Sequence, residues 1–139
     1  DADKIYSISI MPCIAKKAER ELQDWESRNL EGAEIVFVAY GSTSRIAMEA
    51  MEMLADEGIK VGLIRPKTLW PFPKKELCEA TKHASHILDV EMSMGQMIDD
   101  VRLATECRLP VSFFGRTGGV IPTPAEVLAE IEKLAGGAE

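Results

Sequence analysis

Val111-Ser112-Phe113-Phe114-Gly115-Arg116-Thr117-Gly118-Gly119-Val120-Ile121-Pro122-Thr123-Pro124-Ala125-Glu126 reads as a strand, a turn and the start of a helix. Val111 to Phe114 is a short apolar run of strand character. Gly115, Gly118 and Gly119 break it. Thr123-Pro124-Ala125-Glu126 is a capping box with proline at the first helical position. Its hydroxyl and carboxylate each satisfy an amide that a helix start leaves unpaired. Val127, Leu128, Ile131 and Leu134 continue at helical spacing, and Gly136-Gly137 releases the helix. A glycine turn with an arginine that reads as buried, between a strand and a helix, is where α/β proteins place chemistry or contacts.

The same unit repeats upstream. Ile35-Val36-Phe37-Val38-Ala39-Tyr40 is a continuous apolar run, as expected of a strand covered on both faces. Gly41-Ser42-Thr43-Ser44 turns it into a helix through Ile46, Ala47, Ala50, Met51 and Leu54, and Gly58 ends that helix. Val61 to Ile64 is a second strand. Pro66, Pro71 and Pro73 stiffen the next loop, and Leu77, Ala80 and Thr81 mark a short helix. Ile87 to Val90 is a third strand, and Gly95 opens a helix through Met97, Ile98, Val101, Leu103 and Ala104. Val111 to Phe114 is then the fourth strand. Strands alternating with helices over short loops imply parallel pairing and right-handed crossovers. The expected object is an α/β domain, a three-layer α/β/α open sheet.

The first 32 residues read differently from the rest. Asp1 to Met11 fits a short strand through Tyr6, Ile8 and Ile10, or a helix through Ile5 and Ile8. Pro12 suits a helix start, and Ile14, Ala18, Leu22 and Trp25 share one helical face. The spans expected are 1–32 as a lead and helix and 33–139 as one compact α/β unit. The first residue is Asp1 rather than methionine, which reads as a piece of a longer subunit.

The chain has 139 residues, 46% hydrophobic and 28% charged, enough for one substantial core. Its net charge of −7 gives no general attraction for nucleic acid. No apolar run approaches the ~20 residues of a membrane-spanning helix, and no signal-peptide pattern is present. Cys13, Cys78 and Cys107 are odd in number and scattered, which fits a cytoplasmic protein and argues against a disulfide frame or a cluster site.

In an open parallel sheet, ligands and partners meet the carboxyl ends of the strands. Here those ends carry Gly41-Ser42-Thr43, Arg65-Pro66, Glu91-Met92-Ser93-Met94-Gly95-Gln96 and Gly115-Arg116-Thr117-Gly118-Gly119. Gly41, Ser42, Arg65, Glu91, Gln96, Arg116, Gly118 and Gly119 are therefore the candidate edge, for a ligand or for a docking domain. Arg65 or Arg116 beside Glu91 would make a charge-assisted bond there. Such a pair either pins two loops or marks a docking edge. Gly41 to Ser44 at a helix start suits an anion or a plain turn with a hydroxyl cap. Gly118-Gly119 suits an amide nest or a left-handed turn. Neither segment carries a nucleotide-binding fingerprint. Trp70 and Phe72, on the proline-stiffened loop, read either as an interface anchor or, for Phe72, as a staple onto the following helix. Met92 and Met94 could face a partner; the other methionines fit core positions. His83 and His86 lack a third ligand nearby, so no metal site is expected. No nucleophile motif and no catalytic residue is identified.

Four stretches taken together resemble the C-terminal domain of the α subunit of 2-oxoacid:ferredoxin oxidoreductases. They are Ala33 to Gly41, Gly58 to Pro73, Glu91 to Val101 and Phe114 to Pro124. The branched-chain type, 2-ketoisovalerate ferredoxin reductase, is the most similar, with the 2-oxoglutarate type close behind. The fold is also similar to the C-terminal domain of transketolases and of 2-oxoacid dehydrogenase E1 β chains. The resemblance implies a five-stranded sheet, mostly parallel with one antiparallel edge strand. It implies a complex that decarboxylates a 2-oxoacid on thiamin diphosphate, passes electrons through iron–sulfur clusters to ferredoxin and releases an acyl-CoA. Those cofactors are expected on other domains or subunits, and this segment alone is expected to be inactive. Its implied role is structural, with other subunits as direct partners, CoA and ferredoxin met through the whole complex, and a homo-oligomer compatible. The alternatives are a stand-alone small-ligand or nucleotide-binding domain, and a piece of a transketolase or E1-type thiamin enzyme.

Overall fold

Ile35-Val36-Phe37-Val38-Ala39 lies at the centre of the sheet because all five side chains are apolar and all five are buried. The computed structural model describes residues 25–106 and 108–136. Over these it forms β1 (Trp25–Arg28), β2 (Ile35–Ala39), α1 (Gly41–Asp56), β3 (Val61–Pro66), α2 (Lys74–Ala80), β4 (His86–Glu91), α3 (Met97–Ala104), β5 (Val111–Gly115) and α4 (Pro124–Gly136). The sheet order is β1-β3-β2-β4-β5. β2 pairs parallel with β3 and β4, and β4 with β5, while β1 runs antiparallel to β3.

Alternation along the strands divides the interior into two cores. Ile35, Phe37 and Ala39 of β2, with Leu88 and Val90 of β4, pack against Ala47, Met51 and Leu54 of α1 and Val127 and Ile131 of α4. Val36, Val38, Ile64 and Ile87 face the other way, against Phe72, Leu77 of α2 and Met97, Val101 and Ala104 of α3. The result is three layers, as the alternation of strand and helix predicts. α1 ends in a Schellman motif: Gly58 N–H donates to the Ala55 carbonyl at 3.0 Å and Ile59 N–H to that of Leu54 at 2.9 Å. Gly58 holds a left-handed φ of 81° there.

The fifth strand corrects the sequence reading of Trp25. Trp25 lies in β1, facing Pro66 across the antiparallel pair, and not on a helical face. The free side of β3 supplies the pairing that the spacing with Leu22 could not reveal. Glu26 strengthens it, reaching Arg65 at 3.3 Å and Lys67 at 2.9 Å. The readings of Tyr6, Ile8, Ile10, Ile14, Ala18 and Leu22 lie outside the described residues, as do those of Cys13, Cys107 and Gly137.

Leu63 is 2% exposed on β3, between β1 and β2. Leu63→Ala is expected to cost about 2–5 kcal/mol, through lost burial and the cavity left behind. Urea unfolding measures it, and a loss below ~1 kcal/mol would show that the site collapses without penalty.

Candidate functional site at the carboxyl edge

β2, β3, β4 and β5 run parallel, so the loops after them share one end of the sheet. Glu91, the last residue of β4, is fully buried there. Its carboxylate accepts the Ser93 hydroxyl at 2.7 Å and the backbone N–H groups of Gln96, Met97 and Ile98 at 3.2, 3.0 and 3.1 Å. These amides begin α3, whose first turn has no intrahelical acceptor for them. The negative charge also meets the positive end of the helix dipole. Burial opposes ionisation of Glu91, yet the interaction with Asp89 and the hydrogen bonds from Ser93 and the Met97 and Ile98 amides outweigh it and hold the carboxyl below its ordinary range.

Glu91 therefore pairs with neither arginine, which corrects the sequence expectation. Arg65 is taken by Glu26, its cross-strand neighbour on β1. Arg116 donates to the Glu126 carboxylate at 3.0 Å and lies over the Phe114 ring at 4.8 Å. Its side chain is 40% exposed rather than buried, as that sequence had suggested. Glu126 closes the capping box as read from sequence: it accepts the Thr123 N–H at 2.8 Å, and its own N–H donates to the Thr123 hydroxyl at 3.3 Å. Arg116 thus ties the turn after β5 to the start of α4. The Glu126 carboxyl is held low by the Thr123 amide first, then by Arg116.

Gly41 and Ser42 are exposed at the start of α1, where Gly41 adopts a φ of 57°. The hydroxyls there do not cap amides. Thr43 and Ser44 donate backwards instead, each at 2.7 Å, to the carbonyls of Tyr40 and Gly41. Gly118 and Gly119 are exposed with φ of 70° and 82°, in a turn where Val120 N–H donates to the Thr117 carbonyl at 3.4 Å. Gln96 precedes α3 and is exposed. Gly115 lies where β5 and the Glu91 loop converge: a Cβ there would sit 2.6 Å from the Ser93 carbonyl oxygen. Glycine is required by that close approach.

Trp70 and Phe72 part company. Trp70 is 77% exposed, whereas Phe72 is 5% exposed inside the α2–α3 core with Leu77. Phe72 as an interface anchor is therefore corrected: its ring is already covered by its own domain. Trp70 joins Met92, Met94, Val120 and Ile121 as exposed apolar side chains in the loops after β3, β4 and β5. Val120 and Ile121 were missed from sequence. Trp70 and the exposed Leu103 of α3 also border a groove of about 520 Å³ shared with Lys74, Lys75 and Asp100.

Asp89 was missed as well, although period two on β4 places it on the face of Ile87 and Glu91. It is fully buried. His86 lies on β4 rather than at a helix end, 2.8 Å from the Ser112 hydroxyl, and burial lowers its pKa. Among the described residues no cluster of His, Cys, Asp and Glu is placed to hold a metal ion. None of their helices is long and apolar enough to cross a membrane. Two clefts of about 570 and 610 Å³ share Gly58, Ile59 and Lys60 at the amino end of the sheet, away from the edge loops.

An open sheet between two pairs of helices, with one antiparallel edge strand and its polar loops gathered at one end, defines an α/β domain of the transketolase-like kind. Residues 33–127 match the family model for pyruvate:ferredoxin oxidoreductase core domain II. The chain belongs to that family. It is 43% identical over 131 residues to the ketoisovalerate oxidoreductase subunit VorB of Methanothermobacter thermautotrophicus, covering 94% of this chain and 37% of the relative. It is 36% identical over 101 residues to the 2-oxoglutarate synthase subunit KorA of Methanothermobacter marburgensis, covering 73% of this chain and 27% of that one. The chain thus spans little more than a third of the length of the first of these relatives and about a quarter of the second. The structure is similar to 2-oxoglutarate:ferredoxin oxidoreductase from Magnetococcus marinus, solved with 2-oxoglutarate, coenzyme A and succinyl-CoA bound. That match has a TM-score of 0.73 at 25% identity, over 85% of this chain and 21% of the other. A split-gene transketolase, an inactive β4 tetramer, matches in fold alone, with a TM-score of 0.64 at 23% identity over 78% of this chain and 40% of the other.

Proposed function

We propose that this domain is a non-catalytic assembly element of a 2-oxoacid:ferredoxin oxidoreductase α subunit and docks by its carboxyl edge. The proposed whole enzyme oxidatively decarboxylates a branched-chain 2-oxoacid to its acyl-CoA and reduces ferredoxin in the cytoplasm. Identity of 43% to a ketoisovalerate oxidoreductase subunit supports the branched-chain substrate. Thiamin diphosphate and iron–sulfur clusters are assigned to other domains and subunits, and no step is routed through the residues described here. The observation that carries the docking role is the exposed apolar set Trp70, Met92, Met94, Val120 and Ile121 in the loops after β3, β4 and β5 at one end of the sheet. The polar members of the same edge are Gly41, Ser42, Arg65, Gln96, Arg116, Gly118 and Gly119. Rigid aromatic and flexible methionine side chains suit the centre of an interface.

The test uses the subunit that contains this chain, assembled with its partner subunits. Arg116→Ala and Met94→Ala are expected to release subunits in native mass spectrometry while leaving the fold stable to within ~1 kcal/mol. An exposed ion pair contributes little to folding. Unchanged association in both variants would refute the docking role. Viologen reduction by the wild-type complex is expected to be fastest with 3-methyl-2-oxobutanoate; a preference for 2-oxoglutarate or pyruvate would refute the branched-chain assignment.

A further inference from the structure

Two carboxyl groups lie two residues apart on one face of β4, and both are fully buried. Glu91 accepts from Ser93, Gln96, Met97 and Ile98. Asp89 has none: neither of its side-chain oxygens meets a hydrogen-bond donor. Its strand neighbours are apolar, Val38 on β2 and Phe113 on β5. The ionisable groups that act on it are Glu91, the phenol of Tyr40 at the end of β2, and Arg102 of α3. A buried carboxylate without a donor is costly, and the ordinary escape is to take up a proton. A protonated carboxyl is itself a donor, and the carboxylate two residues on along the same buried face of β4 is that of Glu91.

We infer that Asp89 is a buried protonation site that positions Glu91: as a neutral acid it donates its proton to the Glu91 carboxylate, and so governs how the Met92–Gln96 loop and the start of α3 are seated. One proton serves the pair. Its loss to a solvent base leaves two carboxylates on one buried face and takes one donor from Glu91. The loop that then loosens carries Met92 and Met94. This inference concerns the chain's own residues and does not rest on the assembly role.

Burial, the hydrogen bond to Glu91 and repulsion by its charge push the Asp89 carboxyl up to about 9, against the opposing pull of Arg102. The folded pKa is raised, so the folded state holds a proton that the unfolded chain has released. The resulting stabilisation is complete below the unfolded value of 3.8 and declines as pH rises to about 9. Glu26, Glu91 and Glu126 are shifted below 4.5 and His86 below 6.5, so their linkage lies at lower pH. Tyr40, raised by burial and by both carboxyls, acts only above 10. Between pH 7 and 9 Asp89 therefore sets the slope among the described groups with a displaced titration.

The experiment is urea unfolding of the protein across that window, with carbon NMR of the Asp89 carboxyl and a titration of Glu91. The wild type is expected to lose about tenfold in its folding constant per pH unit, the linkage of one proton. Asp89→Asn keeps a donor and is expected to abolish the slope while leaving the Glu91 midpoint in place. Asp89→Leu removes the donor and is expected to abolish the slope and raise the Glu91 midpoint. A flat wild-type profile, or an Asp89 carboxylate signal at pH 7, would overturn the inference. If the variants do not fold, the wild-type carboxyl signal alone decides it.

Discussion

Glu91→Ala is expected to lower the unfolding free energy by about 3–5 kcal/mol, the cost of several buried donors left at once without their acceptor. The cause is specific. Three amides of the first turn of α3 and the Ser93 hydroxyl lose their acceptor at once. Each orphaned buried donor costs about 1–3 kcal/mol, and water admitted at the sheet end recovers part of the sum. Gln96, Met97 and Ile98 should show faster amide exchange than the centre of β2, because the defect is local to the helix start. The effect also has a pH signature. The folded pKa of Glu91 is lowered, so its stabilisation is present above the unfolded value of 4.5 and disappears as pH falls through the folded value. The gap between wild type and variant should therefore narrow in acid. A deficit below ~1 kcal/mol in urea at pH 7 would show that Glu91 does not seat α3.

Phe72→Ala is the second large effect, at about 3–5 kcal/mol for a buried aromatic truncated to alanine. Phe72 fills the core between the sheet and the α2–α3 layer, beside Leu77, Val101 and Ile64. Trp70, two residues earlier, is the control. Its ring is largely in solvent. Trp70→Ala is expected to leave stability within about 0.5 kcal/mol, as for surface positions remote from packing, and to weaken subunit association. Equal losses in the two variants by thermal and urea unfolding would contradict the separation of roles within this loop.

The strands β2 to β5 and their helices were legible in sequence because their cues are local. Apolar runs such as Ile35–Ala39 and the Thr123–Glu126 capping box carry their structure within a few neighbours. β1 was not legible. Trp-Glu-Ser-Arg is short and mostly polar, and it becomes a strand because β3 offers a free side to pair with. The general position of the candidate edge followed from parallel topology. Its pairings did not, because charge and proximity in a list of loops leave several partners for each arginine. Glu126 looked fully used by its cap, yet its other oxygen takes Arg116. Glu91 found acceptor work a few residues onward, at the amides of α3. The exposed Ile121 and the buried Phe72 are both apolar residues beside a proline, and packing alone separates them.

The antiparallel direction of β1 has a consequence for tethering. Trp25 faces Pro66, so the polypeptide enters the sheet at the same end as Trp70 and the loops after β4 and β5. A partner domain carried upstream of β1 on the same polypeptide would meet that end as an intramolecular neighbour. Short flexible connections supply effective concentrations on the order of millimolar. At such a local concentration the exposed side chains proposed as the docking surface would need to supply only weak contacts.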